Sequence, residues 1–184
     1  ALLTGLIDAL PTAQLTELGA AIDAGQVKTV VSVGENLIAA GLTSEQLAKV
    51  RVIYLGTHSN VTSGVAKIVF PTLTVFEKAG SFVNQQFRLQ KFARCVPSLV
   101  GASDDLVVLS RLTTAVGAES VGEDAVSVWP ALAAAVPQLT TVTYANLSKQ
   151  GLLLDGSAWA GLPFVEGESL NFKPAAAAAE SASA

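Results

Sequence analysis

Three short apolar runs constrain this chain more than any other feature: VKTVVSVG at 27–34, RVIYLG at 51–56 and AKIVFP at 66–71. Each is rich in β-branched residues, too short for a helix, and closed by glycine or proline, so each reads as a buried strand. Between the first two lies EQLAKV at 45–50, a short helix with Thr43 or Ser44 as its cap. The link before the third strand, SNVTSGV at 59–65, is a weak helix former because of Gly64 and its β-branched residues. Strand, short helix, strand, short helix, strand is the pattern of a parallel sheet. The fold class expected is therefore α/β: a small parallel Rossmann-like sheet with flanking helices, followed by a helical and irregular C-terminal region.

The flanks extend this organisation. TAQLTELGAAIDA at 12–24 places Leu15, Leu18 and Ile22 at helical spacing, with Thr12 as cap and Gly25 as stop. After a linker-like CVPSLVGAS, Ser103 is placed to cap a helix through DDLVVLSRLTTAV that ends at Gly117. Residues 123–136 read as one helix or two, broken or kinked at Pro130. YANLSKQG at 144–151 reads as a further short helical piece, and the chain beyond Gly151 as irregular. The expected division is an α/β portion at 1–96, a helical and irregular region at 97–173, and a disordered alanine-rich tail at 174–184.

Composition narrows the function classes. Charged residues are 14% of the chain, against about 25% in ordinary domains. Mean hydropathy is +0.50. Either the domain is tightly packed and alanine-rich, or a neighbouring domain or subunit covers part of its apolar surface. A net charge of −4 argues against nucleic acid as partner. No apolar stretch reaches the roughly 18 residues of a membrane span. The start lacks a basic leader and is interrupted by Asp8, which argues against a signal peptide. The absence of Met, even at position 1, predicts a piece of a longer polypeptide. A lone Cys95 and a lone His58 exclude an internal disulfide and a cysteine- or histidine-rich metal site built from this chain.

Two places could carry chemistry. Gly34-Glu35-Asn36 follows the first strand, where parallel sheets bind ligands at the carboxyl ends of their strands; Asn36 there binds a ligand or caps the next turn. The polar loop after Pro71 holds Glu77, Gly80, Asn84 and Arg88 among Phe76, Phe82, Phe87 and Phe92, with Arg88, Lys91 and Arg94 as a local cationic face. Gly80 there permits backbone geometry that other residues resist. Such a cluster meets an anionic cofactor or partner, or else the phenylalanines anchor a core and the polar groups hold an irregular loop. The carboxylate pairs Asp104–Asp105 and Glu123–Asp124 sit at helix starts, where capping accounts for them.

The stretch FPTLTVFEKAGSFVNQQFRLQKF resembles molybdopterin oxidoreductases. There a strand ending Val-Leu-Pro leads to phenylalanine or alanine, Glu, then Gly-Thr-Phe-x-Asn and Arg-x-Gln. Glu77, Gly80, Phe82, Asn84, Arg88 and Gln90 fall on matching positions. The Gly34–Asn36 turn, the helix DDLVVLSRLTTAVG and the late segment LPFVEGESLNFKP are similar as well, so the resemblance spans about residues 26–173. It is nearest to the large iron–sulfur subunit of respiratory NADH:quinone oxidoreductases. Where the family often has proline, aspartate, threonine and glutamate, this chain has Leu37, Lys67, Ser81 and Val61. The resemblance implies a non-catalytic structural region with no cofactor of its own, the iron–sulfur clusters lying in an N-terminal part of the parent. Its partners would be other subunits of the peripheral arm, at the cytoplasmic face of a bacterial inner membrane. The alternative implied is the pterin-binding part of an active enzyme of formate-dehydrogenase type, with Asn36, Asn84 and Arg88 on the cofactor. Outside the family, a small independent α/β interaction module also fits the strand pattern.

Overall fold

A computed structural model describes residues 11–84 and 86–157. It opens with helix α1 (Pro11–Asp23), which already includes Thr12, so the helix starts before the expected cap; proline suits a first turn because its missing N–H has no helical partner there. Gly25, at φ +71°, turns the chain toward β1 (Thr29–Val33). Then come α2 (Ser44–Ala48), β2 (Arg51–Gly56), α3 (Val61–Val65) and β3 (Ile68–Pro71). The strands form a parallel sheet in the order β1-β2-β3, with Val31 beside Ile53 and Ile53 beside Ile68. The β3 edge is lengthened by a parallel bridge from Thr72 to Ser103.

Two of these helices exist because of their caps. Thr43 and Gln46 form a reciprocal capping box on α2. Asn60 and Ser63 do the same for α3, which satisfies the first-turn donors and offsets the poor propensity of VTSGV. One face of the sheet is closed by the first core, in which Ile22, Leu37, Leu42 and Leu47 pack with Val30 and Val52.

The loop after Pro71 is more regular than the sequence suggests. It makes a hairpin of β4 (Gly80–Val83) and β5 (Arg88–Phe92), and β6 (Leu152–Leu153) pairs with β5 to give a second, antiparallel sheet. Chain expected to be irregular after Gly151 thus supplies a strand. Around this sheet Leu89, Trp129, Val136, Leu139, Leu147 and Leu154 form a second core.

The helices between differ in detail from expectation. Asp104, not Ser103, is the N-cap of α4 (Asp105–Ala115), because Ser103 is drawn into the bridge with Thr72. Gly117 at φ +82° ends α4, with Ala118 N–H bonded to Thr113 O and Gly117 N–H to Thr114 O. Residues 123–136 give one helix, α5 (Ala125–Ala135), which runs through Pro130. Pro130 has no N–H to donate to the carbonyl of Val126 one turn earlier. A 3-10 turn at Pro137–Leu139 follows. The YANLSKQG piece is a turn rather than a helix, held by Thr143 and Asn146 bonding each other's N–H groups. The tail at 174–184 lies outside the described residues.

Candidate functional site

The carboxyl end of the parallel sheet is the first place to look for a ligand. At the exit of β1, Gly34 adopts φ +71° and Ser32 donates to Glu35 O. Asn36 Oδ1 accepts from Ala39 N–H at 3.2 Å and from the hydroxyl of fully buried Thr62 at 3.2 Å. Asn36 therefore caps its own turn and ties it to α3. Among the described residues nothing accepts from its amide nitrogen. His58 is exposed, and its Nδ1 lies 2.8 Å from Thr57 Oγ1.

The second place is the stretch from Thr74 to Phe92. Glu77 is buried, and its two carboxylate oxygens accept from Thr74 N–H at 2.9 Å, Thr74 Oγ1 at 2.7 Å and Leu99 N–H at 2.9 Å. These bonds, the Thr74 pair foremost, hold its carboxyl below the usual range. With Cys95 and Val96 both donating to Phe76 O, Glu77 clamps two distant stretches of chain together. A carboxylate so occupied has little basicity left for proton transfer.

Asn84 and Arg88 are brought together at the hairpin turn. Asn84 Oδ1 accepts from Gln86 N–H and Arg88 N–H, each at 2.9 Å. This supports Phe87, which sits at φ +60°, a conformation other residues than glycine seldom adopt. Arg88 Nη1 donates to Gln150 O at 3.3 Å. Gly80 is a strand residue, so its role is not the unusual backbone angle expected. A Cβ there would lie 2.9 Å from Cζ of Phe92, its cross-strand partner, whose ring stacks on Phe82 at 4.4 Å.

The expected cationic face is divided. Strand alternation sends Arg88 and Lys91 to opposite faces of β5. Lys91 donates to Tyr144 O and Ala145 O, and Arg94 to Val96 O. The phenylalanines divide too: Phe87 packs on the second core, while Phe76 is 62% exposed and Phe82 also faces solvent. Around the Glu77 clamp, Val75, Val96 and Leu99 are exposed as well, the last at 72%.

Lys78, next in sequence, pairs with Asp105 at 2.7 Å, both partly buried. Partial burial alone would raise the Asp105 carboxyl, but the Lys78 bond, with a second from Asp104, holds it low. Asp104 goes the other way: burial first, then the hydrogen bond with Asp105, push its carboxyl up. Asp104 caps α4 through Leu106 N–H, and Asp124 caps α5 through Val126 and Ser127 N–H. One carboxylate of each pair caps as the sequence indicates, while the others make ion pairs, Asp105 with Lys78 and Glu123 with Arg111.

Among the described residues no group of three or more His, Cys, Asp or Glu side chains is placed to hold a metal ion. A groove of about 530 Å³ lies beside Trp129 and Tyr144, and a smaller cavity of about 200 Å³ between Phe70 and α4. Neither is lined by Asn36, Asn84 or Arg88. Asn36 lies with the parallel sheet and Asn84 and Arg88 with the antiparallel one; among the described residues no hydrogen bond joins Asn36 to either. Glu77 and Asn84 thus hold backbone, the second of the two employments the sequence offers for the loop's polar groups; the reach of Glu77 to Leu99, 22 residues away, has no local signal in the sequence.

No curated protein matches this chain. The family model for molybdopterin oxidoreductase matches residues 6–115, from before α1 to the end of α4 and including the whole hairpin. The late LPFVEGESLNFKP segment falls outside both this match and the described residues. The family implies a molybdopterin cofactor, and the residues offered to it by the resemblance do not form a cradle within this chain. The acceptors of Asn36, Asn84 and Glu77 are engaged, and among the described residues no buried side-chain nitrogen or oxygen lacks a partner. With the match covering more than half of its length, the chain belongs to the molybdopterin oxidoreductase family.

Proposed function

We propose that this chain is a non-catalytic, structural C-terminal region of the large iron–sulfur subunit of a respiratory NADH:quinone oxidoreductase. Electron transfer from NADH to quinone is the work of the parent complex, and the iron–sulfur clusters belong to other parts of the parent polypeptide. Its place is the peripheral arm at the cytoplasmic face of a bacterial inner membrane, against other subunits of that arm. Among the described residues no helix is long and apolar enough to cross a membrane.

One observation supports this reading above the others. Around the family's loop the polar side chains are bonded to the chain's own backbone, while Val75, Phe76, Val96 and Leu99 stand in solvent. That is the distribution of a surface made to be covered by protein. The parallel sheet agrees. Such sheets are normally covered on both faces, yet Val31 is 45% and Ile68 41% exposed on the face away from the first core. We assign that face to another part of the same oxidoreductase.

A second reading draws on the amide nitrogen of Asn36, unspent among the described residues, and the guanidinium of Arg88, which makes one hydrogen bond among them. In it the chain is the pterin-binding part of an active molybdopterin enzyme of formate-dehydrogenase type, with Asn36, Asn84 and Arg88 as donors. Arg88→Ala in the full-length parent separates the two. The structural role predicts unchanged turnover per assembled complex and no pterin in either protein. Stoichiometric pterin that is lost with the substitution would overturn it.

A further inference from the structure

One edge of the parallel sheet is taken and the other is open. On the β3 side Ser103 N–H donates to Pro71 O and Leu73 N–H to Ser103 O, so a second stretch of chain lies along that edge. On the β1 side no strand pairs among the described residues. The bonds from β1 to β2 show which groups are left open. Arg51 N–H donates to Lys28 O, and Gly34 N–H donates to Leu55 O. In a parallel ladder alternate residues turn to the same neighbour, so Lys28, Val30, Ser32 and Gly34 face β2. The N–H and C=O groups of Thr29, Val31 and Val33 point outward.

Nothing within β1 blunts this edge. Natural sheets guard an open edge with a proline, a bulge or a charge inside the strand. Thr29–Val33 reads TVVSV and pairs with β2 residue for residue, from Thr29 beside Arg51 to Val33 beside Leu55, with no bulge. The side chains of the outward residues are β-branched and exposed, Val31 at 45% and Val33 at 48%. Charge stands only at the two ends, Lys28 before the strand and Glu35 after it, both exposed. Among the described residues neither side chain takes part in an ion pair.

Those ends decide what fits. A second copy laid antiparallel about Val31 sets Val31 against Val31 and Thr29 against Val33. Every outward group then falls in a hydrogen-bonded pair, about six bonds in all, and β-branched side chains meet across the strands. The same register places Lys28 of each copy opposite Gly34 and next to Glu35 of the other, so opposite charges meet at both ends. A parallel alignment sets lysine beside lysine and glutamate beside glutamate instead. The antiparallel match is isologous, one patch meeting itself about a two-fold axis, and it closes at two chains. That axis stands normal to the sheet, so the apolar face assigned above to another part of the oxidoreductase stays accessible in the pair.

We propose that β1 is a dimerisation edge, at which two copies of this chain join antiparallel through Thr29–Val33 into one continuous sheet. The test is sedimentation equilibrium of the full chain, with reductant present because Cys95 is exposed. An interface of one short strand is small and its association weak, so the micromolar-to-millimolar range is covered. The mass should rise from 18.8 kDa toward twice that value. Val31→Lys, at an exposed position, brings two ammonium groups together at the axis and should raise the dimer dissociation constant about tenfold or more. Lys28→Glu alone and Glu35→Lys alone should each raise it about threefold or more, and the two combined should return it to the parent value. A monomer at every concentration would overturn the proposal and leave the edge to a strand of another polypeptide. A dimer indifferent to Val31→Lys, or charge reversals that do not cancel, would overturn it as well.

Discussion

Asn84→Ala is the most instructive single change, because the clamp and the cofactor readings require different things of this side chain. Its Oδ1 accepts from two backbone N–H groups and closes the turn that keeps Phe87 left-handed. Alanine leaves both donors to water. A net hydrogen bond contributes about 0.5–1.5 kcal/mol, and the site is exposed, so the expected loss is about 1–2 kcal/mol in total. At this chain length each kcal/mol lowers Tm by about 2–4 °C, giving a fall of about 2–8 °C. Asn84→Asp is the partner experiment. Aspartate keeps the acceptor and gives up only the long 3.4 Å bond from Nδ2 to Gln90, so its cost should stay under about 0.5 kcal/mol. Urea unfolding of the three chains, with midpoints compared at constant slope, measures both values. If Asn84→Asp falls as far as Asn84→Ala, the amide donor is what matters and the clamp reasoning is wrong.

Other changes follow from the same geometry. Gly151→Ala forces φ +79° on a side chain and drives its Cβ into Leu89 O, so stability should drop by about 2 kcal/mol or more in thermal unfolding. Leu55→Ala empties a fully buried site in the central strand and should cost about 2–5 kcal/mol in urea; a loss below 1 kcal/mol would mean the parallel sheet is not closed there. Glu77 has a folded pKa below its unfolded one, so its contribution is present above the ordinary glutamate range and is lost as pH falls through the folded value. Glu77→Gln should therefore lower Tm at pH 7 and converge with the parent as pH falls below the ordinary glutamate range. Asp104 has the opposite sign: its raised pKa means ionisation opposes folding once pH exceeds the unfolded value of 3.8. Asp104→Asn, which keeps a capping oxygen, should raise Tm at pH 7 and leave it unchanged near pH 3.

The parallel sheet was legible because its strands are runs such as TVVSV and RVIYLG, whose apolar composition and glycine ends announce themselves locally. Helix α2 was legible for the same reason, since Thr43 and Gln46 lie three residues apart. The hairpin was not. GSFV and RLQKF lack the strict polar–apolar alternation that marks a half-buried strand, and the turn between them bends at Phe87 with no Asn-Gly or Asp-Gly signal. The third strand of that sheet is two residues long and pairs across more than 60 positions. Residue types at the candidate site could be picked out and their two employments named, ligand contact or loop support, but the choice between them could not be read locally. Whether Arg88 faces a ligand or Gln150 O depends on a chain segment 62 residues away.

Capture of the full-length parent from gently solubilised membranes, with co-purifying subunits identified by mass and metals quantified, tests the central claim most directly. The structural role predicts recovery with the flavin-containing and membrane subunits of an NADH:quinone oxidoreductase, carrying iron and no molybdenum. Recovery as a separate enzyme with stoichiometric molybdenum and pterin would contradict it and return Asn36, Asn84 and Arg88 to the cofactor.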